Sequence, residues 1–221
     1  MDGNGRWAKK RGMPRKLGHR EGAAVFKRIT DICNEIGIKY LTFYAFSTEN
    51  RKRPEDEKNA LMDLFDKYLT DVWEQVDKNV KLVFLGDKSY FSPSLREKMI
   101  RIEDESRSHI GMTLMIAMNY GGRDDIIYAA KKTAELVSSG YMKTEEITED
   151  TFSDMLYTAG APDVDLMIRT GGEYRLSNFL IWQCAYAEFY FTDVLWPDFD
   201  KAELDKALDS FASRKRRFGG V

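Results

Sequence analysis

Short runs of aromatic and β-branched residues alternate along this chain with longer segments of helical periodicity, and this alternation limits the folds that the chain can adopt. The runs that predict strands cover 40–46, 81–85, 112–117 and 165–168. The segments that predict helices cover 18–36, 55–76, 92–108, a stretch that begins at 122, 149–159 and 200–213. Strands that alternate with helices indicate an α/β fold, in which a largely parallel central sheet is flanked by helices.

The first two predicted helices have apolar residues that recur every three or four positions. In the helix over 18–36, which Gly37 ends, these are Ala24, Val25, Ile29, Ile32, Cys33 and Ile36. In the helix that follows Pro54, they are Leu61, Leu64, Phe65, Tyr68, Leu69, Val72 and Val76. Both patterns are typical of amphipathic helices that pack one face on a core.

Size and composition narrow the class of protein. A chain of 221 residues, 43% of them hydrophobic, can bury a sizeable core and is short enough for one domain, so we predict a single domain over 1–221. With 34 basic and 36 acidic residues, the net charge of −2 provides no overall basic field, and we expect no nucleic acid partner. The two cysteines, Cys33 and Cys184, suggest reduced thiols in the cytoplasm. No apolar stretch approaches the roughly 20 residues of a membrane span.

The nine residues from Arg169 to Ser177 set two guanidinium groups and a hydroxyl around Gly171 and Gly172. Arginine offers a planar fork of donors that matches phosphate oxygens, and glycines let backbone N–H groups approach an anion. The preceding run over 165–168 predicts a strand that delivers Arg169 at its carboxyl end, where ligands of open α/β sheets bind. We therefore predict a phosphate or diphosphate site, although an ordinary solvated turn with one ion pair has the same composition.

Three further polar segments, over 2–7, 47–53 and 119–123, also lie at predicted strand ends or helix starts. Because the carboxyl ends of parallel strands meet at one edge of a sheet, we expect all four segments to form one site. Asp2, with the flexible glycines and Arg6 that follow it, could hold Mg²⁺ and a diphosphate together. Each segment also has a simpler interpretation, since Asp2-Gly3-Asn4-Gly5 suits a common turn and Ser47 or Asn50 could cap a helix.

Motifs spread over nearly the whole chain resemble those of the cis-prenyltransferase family. They are DGNGRWA over 2–8, GH at 18–19, FYAFSTEN over 43–50, NYGGR over 119–123, RTGGE over 169–173, RLSNF over 175–179, EFYFTD over 188–193, WPDF over 196–199 and RRFGG over 216–220. The resemblance implies an enzyme that condenses isopentenyl diphosphate repeatedly onto an allylic diphosphate, usually farnesyl diphosphate, with Mg²⁺. The implied product is a long-chain cis-polyprenyl diphosphate, such as the undecaprenyl diphosphate of the bacterial cell wall lipid carrier. It also implies a homodimer that touches the membrane to release product.

The resemblance also assigns roles to individual residues. The allylic diphosphate would be bound by Gly3, Asn4, Gly5, Arg6, Trp7, Arg15 and His19. The isopentenyl diphosphate would be bound by Arg169, Arg175, Leu176 and Ser177. The reaction centre would contain Ser47, Thr48, Glu49, Asn50, Arg51 and Arg53. Asp2 would hold Mg²⁺, and Glu188 would complete a metal site near the dimer interface.

Asn50 matches the position that the family credits with proton removal. A neutral amide has almost no basicity, so we expect Asn50 to position the isopentenyl group or a proton-accepting diphosphate oxygen instead. A growing prenyl chain also needs an apolar tunnel, and the same pattern would suit an ordinary core. The candidate tunnel residues are Ala45, Leu61, Leu64, Phe65, Leu114 and Ile116.

The sequence departs from the family pattern at three places. Arg51 stands where an aromatic residue is common, and Tyr174 stands where histidine is common. The apolar strand that leads into the DGNG turn is missing, so we expect Asp2 to lie at a fraying terminus.

The sequence is also compatible with two other functions. The chain could be an inactive subunit that only stabilises a partner, although a complete set of diphosphate-binding residues argues against this. It could also be a metal-dependent phosphohydrolase with Asp2 as nucleophile, although no second carboxylate lies two residues away.

Overall fold

The computed structural model describes residues 1–52, 54–75 and 79–214. Within the second helix of the sequence analysis, the side chains at 56, 57, 59, 60, 68 and 71–75 are outside this description, and so is Val76. The motif over 216–220 also lies outside the described residues.

Helices and strands alternate along the described chain as the sequence predicts. The helices are α1 (Asn4–Lys10), α2 (Arg15–Glu35), α3 (Glu55–Gln75), α4 (Pro93–Ser106), α5 (Gly122–Ser138), α6 (Glu149–Ser153) and α7 (Lys201–Ala212). The strands are β1 (Tyr40–Ser47), β2 (Lys81–Leu85), β3 (Thr113–Tyr120), β4 (Leu166–Arg169) and β5 (Glu188–Phe191). Short 3₁₀ turns cover Thr48–Lys52, Lys88–Tyr90, Thr144–Glu146 and Trp196–Asp198.

All described strand pairs are parallel, which confirms the predicted α/β class with a parallel sheet flanked by helices. Strand β3 lies between β1 and β2, with Ile116 opposite both Phe43 and Phe84. Strands β4 and β5 form a separate pair in which Leu166 lies opposite Glu188 and Arg169 lies opposite Phe191. Strand β5 was not predicted, because its four residues are all half-buried and show no alternation.

The central strand β3 separates two hydrophobic clusters. Residues 114–120 of this strand are all buried, as expected for a parallel strand that is covered on both faces. One cluster joins β1, β2 and β3 to apolar residues of α2, α4 and α7. The other joins β2 and β3 to Met167, Leu180 and Cys184. The carboxyl ends of β1, β3 and β4 thereby become fixed points from which the site loops start.

The predicted face of α2 is correct at its centre and wrong at both ends. Val25, Ile29 and Cys33 are buried, whereas Ala24 is exposed because it lies beside the buried stripe. Ile36 is exposed because the helix has ended at Glu35, and Gly37 then adopts a left-handed conformation with φ of 82°.

The two cysteines are free and buried, and burial raises the pKa of both thiols to about 11. Among the described helices, none combines the length and apolar composition needed to cross a membrane.

Candidate functional site

The backbone of Asp2 is held by the turn that follows β4. The Asp2 N–H donates to Thr170 Oγ1 at 2.9 Å, and that hydroxyl donates to the Asp2 carbonyl at 2.9 Å. The Trp196 N–H also donates to this carbonyl at 2.9 Å. These three hydrogen bonds fix the residue in place, so the expectation that Asp2 frays is wrong for this structure.

Arg169, the last residue of β4, connects Asp2 to Ser177. Its Nη2 atom lies 3.1 Å from Asp2 Oδ2, and its Nη1 atom donates to Ser177 Oγ at 2.9 Å and to the Arg175 carbonyl. Only 12% of the side chain is exposed, and Nε is buried without a hydrogen-bond partner in the described part of the chain. A buried guanidinium donor with no partner suits an anionic guest.

Arg6 approaches the same turn from α1. Its Nη1 atom donates to the Gly171 carbonyl at 2.6 Å, and its Nη2 atom lies 3.3 Å from Asp2 Oδ1. Glu173 Oε1 lies 3.8 Å from Arg6 Nη1, and Glu173 Oε2 lies 2.5 Å from Arg175 Nη1. The carboxylates of Asp2 and Glu173 thus lie between three guanidinium groups and hold them in place. We call the three arginines, Arg6, Arg169 and Arg175, the cationic ring.

The electrostatics of Asp2 favour its ionised form. Burial opposes ionisation, but the hydrogen bond from Arg169 and the charge of Arg6 outweigh it and hold the pKa of the Asp2 carboxyl below its ordinary value. Asp2 is therefore an anion at neutral pH, placed between two arginines.

Gly171 and Gly172 both adopt left-handed conformations, with φ of 87° and 70°. A Cβ atom at Gly171 would lie 2.6 Å from Arg6 Nη2, and one at Gly172 would lie 2.8 Å from Asp193 Oδ1. The turn thus requires glycine for its backbone and for the close approach of Arg6.

Two glycines of α2 allow α1 to approach it closely. A Cβ at Gly18 would lie 2.0 Å from the Asn4 carbonyl oxygen, and one at Gly22 would lie 2.2 Å from Asn4 Oδ1. This contact brings Asn4 and His19 to the lining of one cavity. Gly5 faces Arg15, which is exposed, and Gly3 is buried with φ of 105°.

Trp7, another residue expected to bind the allylic diphosphate, contacts Asp198 instead. Its indole N–H donates to Asp198 Oδ1 at 2.6 Å, and the Arg11 guanidinium lies 4.1 Å from its ring centroid. Arg11 also pairs with Asp198 at 3.2 Å. In this structure Trp7 therefore ties α1 to the turn at Trp196–Asp198 and is not brought to Asp2.

Ser47, the last residue of β1, and Asn50, in the turn that follows, line the cavity. The Ser47 N–H donates to Asn50 Oδ1 at 3.3 Å, which orients the amide. Thr48 Oγ1 donates to Asp124 Oδ2 at 3.0 Å, and Glu49 accepts from Asn178 at 2.7 Å. The predicted site residue Arg53 lies outside the described residues.

Arg51 is engaged with protein groups around the ends of β2 and β3. Its Nε atom donates to Asn119 Oδ1 at 2.6 Å, and its guanidinium lies 5.0 Å from the Tyr90 ring centroid. Asp87 Oδ2 lies 3.8 Å from Arg51 Nη2. These contacts make Arg51 a tie between loops in the structure.

A cavity of about 750 Å³ joins these polar groups to apolar walls. Its lining includes the predicted site residues Asp2, Asn4, His19, Ser47, Asn50, Arg169, Leu176 and Ser177. It also includes Ala45, Leu61, Leu64, Phe65 and Ile116 of the six apolar candidates. Leu114 is the exception, because this β3 residue is fully buried in the hydrophobic core and does not line the cavity.

The cavity also runs between β1 and β4. Consecutive residues line it over 37–45 on one side and 161–170 on the other. Because successive side chains of a strand point to opposite faces, an unbroken run of lining residues indicates that each strand presents its edge. The cavity thus has one part beside α3 and another between two strand edges.

Glu188 is not brought to Asp2. It lies opposite Leu166, at the start of β4, whereas Asp2 contacts Arg169 at the end of that strand, roughly 10 Å further along at about 3.3 Å per residue. Its Oε2 atom accepts from Arg214 Nη1 at 2.6 Å. No group of three or more metal-binding side chains occurs in the described residues.

Several residues that organise the site had little signal in the sequence. Thr170 lies inside the predicted motif, but its hydroxyl role depends on the position of Asp2. Asp125 is buried and bonds to the Tyr120 hydroxyl, the Tyr157 N–H and Gln183. Burial raises its pKa, and these hydrogen bonds only partly offset that shift. Their partners are distant in sequence, so only the folded chain identifies them.

Known proteins resemble this chain over its whole length. A family model described as "Putative undecaprenyl diphosphate synthase" matches residues 1–219. The isoprenyl transferase of Clostridium perfringens is 48% identical over 222 residues, which cover 100% of this chain and 88% of that protein. A Micrococcus luteus protein is 47% identical over 222 residues, which cover 100% of this chain and 89% of that protein. It is named ditrans,polycis-undecaprenyl-diphosphate synthase, (2E,6E)-farnesyl-diphosphate specific.

Two solved structures have the same fold. The lavandulyl diphosphate synthase from Lavandula x intermedia, solved with dimethylallyl diphosphate, has a TM-score of 0.95 and 39% identity and covers 100% of this chain and 95% of its own. A probable undecaprenyl diphosphate synthase from Campylobacter jejuni has a TM-score of 0.80 and 37% identity, with 91% and 93% of the two chains covered.

Proposed function

Because the chain belongs to the undecaprenyl diphosphate synthase family, whose named members are cis-prenyltransferases, we propose that it condenses isopentenyl diphosphate with an allylic diphosphate. The allylic substrate is farnesyl diphosphate, and the product is a long-chain cis-polyprenyl diphosphate of undecaprenyl length. In each cycle the C–O bond of the allylic diphosphate breaks and a C–C bond forms to the isopentenyl group. That group then loses a proton, and inorganic diphosphate leaves.

The geometry of Arg169 is the observation that carries this proposal. One guanidinium contacts the Asp2 carboxylate and the Ser177 hydroxyl, and its buried Nε atom has no partner among the described residues. This group lies on a cavity that is also lined by apolar residues of β1 and α3. A cationic head site joined to an apolar cavity matches a substrate with a diphosphate head and a hydrocarbon tail.

We assign the two diphosphates to the two sides of this cationic ring. Arg169, Arg175 and Ser177, with Leu176 beside them, bind the isopentenyl diphosphate. The allylic diphosphate is bound on the α1 side by Arg6 and Arg15, with Gly3, Asn4, Gly5 and His19 around it. Charge that develops on the departing diphosphate is stabilised by guanidinium groups that are already fixed before reaction.

Asp2 is the residue that would hold Mg²⁺. Its carboxylate is ionised and lies beside the proposed diphosphate sites, and Mg²⁺ is commonly held by one or two carboxylates together with substrate phosphates. The donor set therefore fits the ion without a dedicated protein cage. When bound, Mg²⁺ supplies positive charge to the diphosphate oxygens. Glu188 remains a candidate ligand for a second metal site. Because it lies far from Asp2, that site would be separate from the reaction centre.

Asn50 acts by positioning in this proposal. Its Oδ1 atom accepts from the Ser47 N–H, so its NH₂ group is the end that a substrate would meet. It donates to a diphosphate oxygen, which takes the proton from the isopentenyl group. The reaction centre also contains Ser47, Thr48, Glu49, Arg51 and Arg53. The growing prenyl chain occupies the part of the cavity beside α3, which serves as its tunnel.

We place this reaction in the cytoplasm, in a homodimer that contacts the membrane to release a cell wall lipid carrier. The residues over 9–16 include Lys9, Lys10, Arg11, Arg15 and Lys16 without an acidic residue, and all eight are exposed. Such a segment is attracted to anionic lipid surfaces. Two aromatic residues near β5 are largely exposed, Tyr174 to 71% and Tyr186 to 61%. Because aromatic residues are enriched in protein interfaces, these two support a dimer contact on this side of the protein.

The test is incubation of the purified protein with farnesyl diphosphate, radiolabelled isopentenyl diphosphate and Mg²⁺, followed by chromatography of extracted lipids. We expect a labelled ladder that reaches undecaprenyl length and disappears on chelation of the metal. Release of inorganic phosphate in place of diphosphate would indicate a phosphohydrolase. No extension by an intact, folded protein would favour the inactive partner subunit.

A further inference from the structure

Asn178 uses three groups to join three loops of the site. Its Nδ2 atom donates to Glu49 Oε1 at 2.7 Å, and its Oδ1 atom accepts from the Arg123 N–H at 2.8 Å. Its backbone carbonyl accepts from the Gly122 N–H at 2.6 Å. One residue therefore binds the loop after β1 and the start of α5 while it belongs to the loop that follows β4.

The two loops that Asn178 joins carry different parts of the proposed site. Ser177, the preceding residue, accepts from Arg169 and lines the cavity. Asn50, which follows Glu49, also lines the cavity. The hydrogen bond between Glu49 and Asn178 thus connects the loop after β4, which would bind isopentenyl diphosphate, to the turn after β1, which would contribute to the reaction centre.

Asparagine suits this position for two physical reasons. Its φ is 65°, in the left-handed region that asparagine tolerates better than most side chains. Its amide also presents a donor to a carboxylate and an acceptor to a backbone N–H at the same time. Aspartate has the same shape but would set a second carboxylate against Glu49. The surroundings are tight, since a Cβ at Gly121 would lie 2.6 Å from Asn178 Nδ2.

We propose that Asn178 is a positioning residue that sets the separation between Ser177 and Asn50, and so holds the isopentenyl group against the reaction centre. This role rests on the proposed function. Asn178 is not among the residues that line the cavity, so we assign it no contact with either diphosphate. It acts through Glu49 and through the backbone of its own loop. Misplacement of a reacting group by about 1 Å can reduce the rate by roughly 10²-fold, so a single hydrogen bond at this junction has a measurable effect.

The test is a double-mutant cycle of Asn178→Asp and Glu49→Gln, measured as kcat and as KM for isopentenyl diphosphate. Asn178→Asp alone brings two carboxylates together, and we expect kcat to fall about 10- to 100-fold with a smaller change in KM. In the double variant, the glutamine NH₂ can donate to the new aspartate. We therefore expect the kcat of the double variant to be less than three-fold below that of Glu49→Gln alone.

A pH profile supplies a readout that a merely structural role would not move. Two adjacent carboxylates share a proton at low pH, which restores a hydrogen bond between residues 49 and 178. The kcat of Asn178→Asp, divided by that of the wild type at the same pH, should therefore rise as pH falls. Asn178→Gly keeps the left-handed backbone but lacks both side-chain bonds, and its ratio should stay low at every pH.

The outcomes separate this role from the proposed function. An inactive but folded wild type overturns the proposed function and this role with it. An active wild type, with equal losses from Asn178→Asp in both backgrounds and a ratio that pH does not change, overturns the role of Asn178 alone. Thermal unfolding of each variant shows which losses come from global instability, and coupling between the two sites that appears only in stability also counts against the role.

Discussion

Arg169 Nη2 lies 3.1 Å from Asp2 Oδ2, although 167 positions separate the two residues in the sequence. One residue ends β4 and the other precedes α1, so this ion pair brings the two halves of the proposed diphosphate site together. The same guanidinium donates to Ser177, and its Nε atom lacks a partner among the described residues. Its planar fork can serve several oxygens at once, which an ammonium group cannot do in the same geometry.

Arg169→Lys should therefore lower kcat/KM for isopentenyl diphosphate by about 10²–10³-fold, the scale of losing one preorganised donor. The positive charge remains, but the fork that reaches Asp2 and Ser177 is lost. Steady-state kinetics with both diphosphates measure this. Arg107→Lys is the matched control, because Arg107 directly follows α4 and forms an exposed ion pair with Asp104, so its kinetics should not change. If Arg169→Lys kept more than a tenth of the activity, the bidentate role would be wrong.

The ionisation of Asp2 predicts a pH dependence of stability. The arginines hold the pKa of its carboxyl below the ordinary 3.8 of the unfolded chain. The folded state therefore gains stability from ionised Asp2 above that value and loses it as pH falls through the lower folded pKa. Denaturant unfolding of wild type and Asp2→Asn between pH 7 and pH 2 measures the difference. We expect the wild type to be more stable at neutral pH and the two to converge in acid. A constant difference would contradict the depressed pKa.

Gly171→Ala should cost activity as well as stability. A left-handed conformation in a non-glycine residue costs about 1–2 kcal/mol. At Gly171 the new Cβ would also lie 2.6 Å from Arg6 Nη2, so Arg6 must move away from Asp2. Gly140→Ala is the control, since Gly140 also has a left-handed φ of 76° but no neighbouring atom lies within 4 Å of where its Cβ would be. Chemical denaturation should show a loss of stability for both variants, and a larger one for Gly171→Ala because of the clash with Arg6. Only Gly171→Ala should lower the affinity for the allylic diphosphate, and equal affinities would remove Arg6 from the site.

The sequence predicted the parts of this fold that local pattern determines. The strands β1 to β4 and the need for glycine at Gly171 and Gly172 follow from hydrophobic runs and turn chemistry. Strand β5 was missed because its four half-buried residues carry no periodic signal. The direction of Trp7 towards Asp198 was also beyond the sequence, because a ring and a carboxylate 191 positions apart have no local signature.

The cavity beside α3 predicts an effect on product length. Leu61 is buried and lines this cavity, so Leu61→Ala should lengthen the products by one or more isoprene units. Truncation of a buried leucine also costs about 2–5 kcal/mol of stability. Leu82→Ala is the control, because Leu82 is buried in the core at 1% exposure and is absent from the cavity lining. Chromatography of the labelled lipids should show a shifted ladder for Leu61→Ala alone. Identical ladders would place the prenyl chain elsewhere.

The second part of the cavity predicts a place for one more strand. Strands β1 and β4 present their edges to it, and unpaired edge N–H and C=O groups readily accept another parallel segment. Met1 lines the cavity, so residues joined before it would extend into this space.

We expect an apolar extension of about six residues to pair with both strand edges, since about six residues is the usual strand length. In the parallel ladders, Lys39 O accepts from Thr113 and Asp165 O accepts from Glu188, so the N–H groups of Thr42, Tyr44 and Ile168 are among those that face the open edges. Such an extension should protect these three amides from hydrogen exchange, raise the unfolding temperature and raise Mg²⁺-dependent turnover. An extension of equal length made of glycine and serine should do none of these. Equal protection and equal turnover with both extensions would show that the space does not take a strand.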